Sequence, residues 1–268
     1  MSKKKISLAE IKDILDTAYL NYAKREFIEQ DPLKFVYAYS QKEDQEIAGL
    51  FAALLAWGKR SIILQKTSEL LDRMDNAPAE FIRATGTKKL NALKGFKHRT
   101  FIEKDLISLV KGLHSLYLKQ GGLEAVFSGL DSDYSPELIS IPGFKSWAGI
   151  QNFRNLMTQH PGFSLRSSKH ISNPEAGSAA KRLHLFLRWM VRKDVVDAGI
   201  WTQLVPADLN CPLDVHTGRV GRALGLIHRK QDNRKAVEEL TESLRFFCPE
   251  DPIKYDLALF GLGEEGIF

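Results

Sequence analysis

Apolar residues recur along this chain with the spacing of an α-helix, and the alternation typical of β-strands is almost absent. A first helix is indicated after Ser7, a good N-cap residue, by one apolar stripe: Leu8, Ile11, Ile14, Leu15 and Ala18. Residues 46–57 are apolar nearly all round, which predicts a buried central helix ended by Gly58. The pattern therefore indicates an all-α protein.

Further amphipathic stretches extend this interpretation to about ten helices. They cover residues 63–74, 102–113, 147–157, 178–192, 214–224, 234–247 and 251–261. The double glycine Gly121-Gly122 is expected to end the helix over 102–113. Segments 131–142 and 160–174 are rich in Ser, Pro, Gly and Asn and are predicted to be loops.

Composition and charge exclude several classes of protein. The chain has 268 residues, and its 38 Lys and Arg against 33 Asp and Glu give a net charge of +5. No apolar run approaches the roughly 20 residues of a membrane span, and the N-terminus has no secretory core, so we expect no membrane partner. With only two cysteines, a reduced, cytoplasmic protein is expected. Neither a phosphate-binding glycine loop nor zinc or iron–sulfur spacing occurs, so no cofactor or metal is predicted.

The segment over residues 212–226, PLDVHTGRVGRALGL, is the most informative motif in the chain. Its apolar-Asp-x-His-x-x-Arg-apolar pattern at the head of a helix resembles the helix-hairpin-helix DNA glycosylase superfamily. Together with KRL and LRWMVR over 181–192 and DPIKYD over 251–256, this motif also resembles a family of uncharacterised bacterial proteins. That family has no established activity from which a function could be inferred.

The resemblance implies a two-lobed helical fold with a cleft between the lobes. One lobe would span residues 35–195 and carry the hairpin; the other would combine 1–34 with 196–268. In bifunctional glycosylases a lysine on the second hairpin helix and an aspartate at the head of the next helix are catalytic, and they map here to Lys181 and Asp214. The hairpin glycine motif is degenerate over residues 173–181, NPEAGSAAK.

The chemistry of an amine and a carboxylate supports the same two residues. Breaking an N-glycosidic bond produces a cationic sugar, which a carboxylate stabilises and a neutral amine captures as a Schiff base. Alternatively, Lys181 belongs to a solvated basic face with Arg188 and Arg192, and Asp214 is an ordinary N-cap.

Other residues are candidates for holding the nucleic acid or the target base. The predicted nucleic-acid contacts are Lys59, Arg60, Gly177, Ser178, Arg182, Arg188 and Arg219. The amides of Gly177 and Ser178 could bind a phosphate or simply cap a helix, and residues 58–60 could be a solvated loop. His216 and Trp189 are candidates for stacking on a flipped base, although a helical Trp is more often part of the core.

We therefore expect a monomeric DNA glycosylase that excises a damaged base from duplex DNA, with or without lyase activity. A different class remains open: a non-catalytic nucleic-acid-binding or scaffold protein with the same fold. RNA is an alternative ligand.

Overall fold

A computed structural model describes residues 6–84, 86–129 and 134–268. Within them lie fifteen α-helices: α1 (Leu8–Tyr22), α2 (Arg25–Glu29), α3 (Lys34–Tyr37), α4 (Lys42–Leu55), α5 (Arg60–Arg73), α6 (Pro78–Arg83), α7 (Thr87–Ala92), α8 (Glu103–Gln120), α9 (Leu123–Ser128), α10 (Pro136–Ser140), α11 (Phe144–Gln159), α12 (Lys181–Val191), α13 (Val215–Ala223), α14 (Arg234–Phe247) and α15 (Tyr255–Glu264). A single antiparallel pair, β1 (Lys97–His98) and β2 (Phe101–Ile102), is the sheet found in this part of the chain. The predicted all-α character is confirmed.

The longer helices were predicted and the short ones were not. Helix α14 has the predicted bounds, and α1 begins after Ser7, whose hydroxyl accepts the amide of Glu10. The expected number of about ten is wrong, because six helices of four to six residues, α2, α3, α6, α7, α9 and α10, are too short to show a repeating apolar stripe. Helix α10 lies within the predicted loop over 131–142, of which 131–133 fall outside the described residues. A 3₁₀ helix, Leu165–His170, interrupts the second predicted loop.

Helix α4 is the centre of the core, as the largely apolar stretch over residues 46–57 predicts. Every residue from Glu46 to Leu55 is buried, and α3, α5 and α12 pack around it. The one carboxylate in this stretch is satisfied, because Glu46 accepts hydrogen bonds from the Tyr117 hydroxyl and the Trp201 indole, both at 2.7 Å. Gly49 lets α3 and α12 approach closely, since a Cβ there would lie 2.9 Å from Val36 and 3.1 Å from Met190.

Helix α15 lies against α1 on one side and α13 on the other. Two glycines allow this. A Cβ on Gly261 would overlap the ring of Tyr22, and a Cβ on Gly263 would lie 2.7 Å from the Cβ of His216. The glycines near the end of the chain therefore set the distance between three helices.

No helix within 6–84, 86–129 and 134–268 is both long and apolar enough to cross a bilayer. The division into a lobe over 35–195 and a lobe combining 1–34 with 196–268 stays a prediction.

The contact between α9 and α11 gives a test of the packing. A Cβ on Gly149 would overlap the carbonyl oxygen of Phe127, and backbone cannot move aside as a side chain can. We expect Gly149→Ala to lower the free energy of unfolding by about 3 kcal/mol, measured by urea denaturation. Gly86→Ala is the matched control, because the nearest atom to its Cβ would be 4.0 Å away. Equal stability of the two variants would contradict this packing.

Candidate functional site

A pocket of about 300 Å³ opens where the first residues of α12 and α13 meet α15 and the segment after α4. Its aromatic lining is Phe27, Trp57, His216 and Phe260. Its charged lining is Asp31, Arg60, Lys181, Arg188, Asp214, Asp256 and Glu264. This combination of flat apolar walls and a few charged groups is typical of small-molecule sites.

Lys181 and Asp214, 33 residues apart in sequence, face each other in this pocket. Lys181 is the first residue of α12, and Asp214 immediately precedes α13 as its N-cap. The Lys181 Nζ lies 3.4 Å from the Asp214 Oδ2, and the two side chains are 34% and 15% exposed. The structure therefore brings together the two residues that the sequence singled out.

Asp214 serves as an N-cap and faces the pocket at the same time. Its Oδ1 accepts the amide of Thr217 at 2.9 Å, while its Oδ2 is the oxygen nearest Lys181. The capping and charge-bearing interpretations of Asp214 are thus compatible, because each uses a different oxygen.

Arg188 is not the surface residue that a basic helix face predicts. It is 2% exposed, its Nε lies 3.2 Å from the Asp197 Oδ1, and its Nη1 pairs with Asp256. Arg192 is also buried and pairs with Asp194, Asp197 and Asp251. These carboxylates raise the pKa of both guanidinium groups despite burial, which acts to lower it. The expected solvated face is therefore wrong for both arginines, and Arg188 is not placed to contact a phosphate.

Asp256 lies at the buried end of the pocket beside Arg188 and Cys211. It is 5% exposed, and the Cys211 Sγ is 3.9 Å from its Oδ1. Burial raises the pKa of Asp256 to about 6, outweighing the opposing effect of Arg188. Burial also raises the pKa of the Cys211 thiol well above its ordinary value, which favours the unreactive protonated form.

Trp57, rather than Trp189, supplies the indole of the pocket. Trp189 is completely buried, so the prediction that it stacks on a base is wrong. Trp57 lines the pocket, with the Arg99 guanidinium 5.0 Å from its ring centroid and His98 packed edge-on at 5.7 Å. The available signal was its position: Trp57 ends the apolar run just before Gly58, next to residues already singled out.

His216 does lie in the pocket, as predicted for a residue near the base. Its ring packs edge-on against Phe260 at 5.7 Å, and its Nδ1 is buried without a partner in the part of the chain described. The role of His216 toward a base stays a prediction.

The remaining predicted nucleic-acid contacts divide into exposed and internal groups. Lys59 and Arg219 are exposed, and Arg60 pairs with Glu264 at 2.7 Å at the pocket. Arg182 instead donates to the carbonyls of Leu54 and His170, and burial lowers its pKa to about 10. It is therefore a link between internal segments rather than a free cation.

Gly177 and Ser178 do not begin a helix, because α12 begins at Lys181. Their amides donate to the carbonyls of Pro174 and Asn173, at 2.9 and 3.1 Å. The predicted phosphate contact through these two amides is wrong for this conformation, since both donors are already used within the loop.

No group of three or more His, Cys, Asp or Glu arranged to hold a metal ion occurs among residues 6–84, 86–129 and 134–268. In a comparison with protein families, the model described as a protein of unknown function, DUF2400, matches residues 31–265. The chain belongs to the DUF2400 family. The DUF2400 match includes every pocket residue except Phe27. No curated protein and no solved structure matches the chain.

The raised pKa of Asp256 predicts a pH-dependent contribution to stability. Because its folded-state pKa of about 6 lies above the ordinary 3.8, this group stabilises the fold most below about pH 4, and the contribution is lost as pH rises through about 6. Asp256→Asn mimics the neutral acid. We expect the stability of the variant relative to wild type to rise by about 1 to 3 kcal/mol between about pH 5 and pH 8, measured by urea denaturation.

Asp13→Asn, which alters an exposed carboxylate, is the control and should show no such trend. A relative loss of stability by Asp256→Asn over the same pH range would instead mean that Arg188 holds the pKa of Asp256 low.

Proposed function

We propose that this protein is an N-glycosylase of the base-excision type, acting on a damaged base in DNA, with Lys181 as nucleophile and Asp214 as the stabilising carboxylate. The observation that carries the proposal is the 3.4 Å approach of the Lys181 Nζ to the Asp214 Oδ2 inside a pocket with aromatic walls. An amine and a carboxylate so placed can both reach the anomeric carbon of one bound nucleotide.

In the proposed reaction Asp214 and Lys181 both act on the cationic sugar, the first by stabilising its charge and the second by bonding to it. The C1′–N bond breaks, the base leaves with the electron pair, and the sugar becomes cationic. The Asp214 carboxylate stabilises that cation, and the neutral Lys181 amine forms a bond to C1′. Loss of a proton and opening of the sugar ring then give an imine. The Lys181 side chain is 34% exposed, so the proton that its ammonium must lose before attack passes to solvent, and Asp214 stays ionised for the cationic sugar.

The aromatic lining suits a base turned out of the duplex. Trp57, Phe27 and Phe260 offer ring surfaces on which an unstacked base can regain part of its stacking energy. Lys59 is an exposed cation available to the DNA backbone, and Arg219 is also exposed although its Nη2 donates to the carbonyl of Gly263.

The resemblance of residues 212–226 to the helix-hairpin-helix glycosylases gives independent support, because their lysine and aspartate map to Lys181 and Asp214. The degenerate hairpin over 173–181 departs from that family, and the amides of Gly177 and Ser178 are already hydrogen-bonded. We infer that the DNA backbone is held mainly by side chains rather than by this loop.

A non-catalytic nucleic-acid-binding protein is the second candidate. It is favoured by the internal use of Arg188 and Arg192, which removes two cations from the surface. The two proposals differ in one respect: only a glycosylase changes covalent bonds in its ligand.

Trapping of a Schiff base tests the proposed lysine. Incubation with duplexes carrying abasic sites or oxidised, alkylated or deaminated bases, in the presence of borohydride, should leave a covalent protein–DNA complex. Lys181→Gln should abolish this complex while DNA affinity changes little. Lys235→Gln is the control, because it removes an exposed lysine in the first turn of another helix, α14. Unchanged trapping by Lys181→Gln would exclude Lys181 as the amine.

A substitution at Asp214 can separate the effect of its charge on catalysis from its role as the N-cap of α13. Asp214→Asn keeps an oxygen for the Thr217 amide, so we expect the melting temperature to stay near that of wild type while base excision slows by about 10²- to 10⁴-fold. Asn233→Ala is the matched control, because it removes the corresponding cap of α14, bonded to Ala236 at 3.1 Å, without touching the pocket.

Normal excision by Asp214→Asn would limit Asp214 to a structural role. If wild type binds these duplexes but neither traps nor excises any base, the non-catalytic alternative is the correct one.

A further inference from the structure

Asp31 is a pocket carboxylate without an ion-pair partner among the residues that the structure describes. The three pocket cations each have a carboxylate partner, in the pairs Lys181–Asp214, Arg188–Asp256 and Arg60–Glu264. Asp31 lines the same pocket and takes part in no ion pair among the residues the structure describes. With all groups ionised, the charged lining thus carries one more negative than positive charge.

The Asp31 side chain is held by a hydrogen bond from the backbone two residues further along the chain. Its Oδ1 accepts the amide of Leu33 at 2.9 Å, a short-range turn that holds the side chain between α2 and α3. The Oδ2 and one lone pair of Oδ1 remain to accept further hydrogen bonds, since a carboxylate has about four acceptor positions.

Burial raises the pKa of Asp31, while the Leu33 amide and the positive charges of Arg188 and Arg60 lower it. A ligand that donates hydrogen bonds to Asp31 would favour its ionised form further. A ligand offering only acceptors would leave the carboxylate without a partner.

We infer that Asp31 recognises the target base by accepting hydrogen bonds from it. This base presents two adjacent N–H donors, as the pairing edge of a guanine-type base does. The inference rests on the proposed function and deepens it by naming the substrate class. The two donors, N1–H and the N2 amino group, match two acceptor positions of one carboxylate. Adenine presents an acceptor at N1 beside its amino group, so its pairing edge would place a lone pair against the carboxylate.

A purely structural Asp31, present only for the turn at Leu33, is the competing explanation. Asp31→Asn distinguishes the two, because the amide oxygen can still accept the Leu33 amide while the negative charge is lost. The new side chain also donates through its NH₂ group, which suits the acceptor of adenine rather than the donors of guanine.

The experiment measures binding of free bases and requires no bond cleavage. Wild type, Asp31→Asn and the exposed-site control Asp13→Asn are titrated with 9-methylguanine, 9-methylhypoxanthine and 9-methyladenine by ligand-observed NMR at about pH 8. We expect wild type to bind 9-methylguanine most tightly and 9-methyladenine most weakly, with 9-methylhypoxanthine, which lacks the N2 amino group, between them.

Asp31→Asn should weaken 9-methylguanine binding by about tenfold or more, the effect of losing a charge-assisted hydrogen bond, and should leave 9-methyladenine binding no weaker. Asp13→Asn should behave as wild type. Equal affinity of wild type for the three bases, no detectable binding of any of them, or no effect of Asp31→Asn would each overturn the inference.

Failure of the proposed function has a different signature. A protein that binds 9-methylguanine through Asp31 but traps and excises nothing would support base recognition and contradict the glycosylase. Excision with no dependence on Asp31 would do the reverse.

Discussion

The pairing of Arg188 with two buried carboxylates is the interaction on which the pocket depends. Arg188 is on α12, Asp256 on α15 and Asp197 in the segment after α12, so one guanidinium joins three parts of the chain. Removing Arg188 would leave the ionised Asp197 carboxylate in the interior with one counter-charge fewer, which would cost several kcal/mol. The same helix α12 begins with Lys181, and α15 carries Phe260. The ionic cluster therefore fixes one wall of the pocket relative to another.

The juxtaposition of Lys181 and Asp214 is what the resemblance to the helix-hairpin-helix glycosylases implies, whereas the surroundings of the pair could not be predicted. The N-cap signal at Asp214 is local, and a local hydrogen bond to Thr217 realises it. Arg188 shows the limit of such reasoning. A helical projection places it opposite the apolar stripe, where a charge is normally solvated, but the carboxylates that bury it come from residues 197 and 256. Periodicity carries no information about partners so far along the chain.

The two tryptophans illustrate the same limit in the core. Trp57 and Trp189 both belong to largely apolar stretches, and in the sequence only the position of Trp57 at the end of its stretch, just before Gly58, distinguishes the two. What separates them is packing. Trp189 lies in the second half of α12, where every residue from 186 to 191 is buried, while Trp57 follows the last turn of α4, where the chain leaves the core. The short helices were missed for a related reason, since tertiary contacts rather than propensity stabilise helices of one turn.

The close seating of α15 bears on how the pocket receives a ligand. A Cβ on Gly261 would meet the ring of Tyr22, and a Cβ on Gly263 would meet the Cβ and backbone of His216, so the missing side chains of these two glycines set the spacing of α1, α13 and α15. Phe260 immediately precedes Gly261 on the same helix, so it has little freedom to withdraw from the pocket or to swing further into it. A site whose walls are ordered before binding loses less conformational entropy when it is filled. Such a site also discriminates by shape, because a larger ligand cannot push the wall aside.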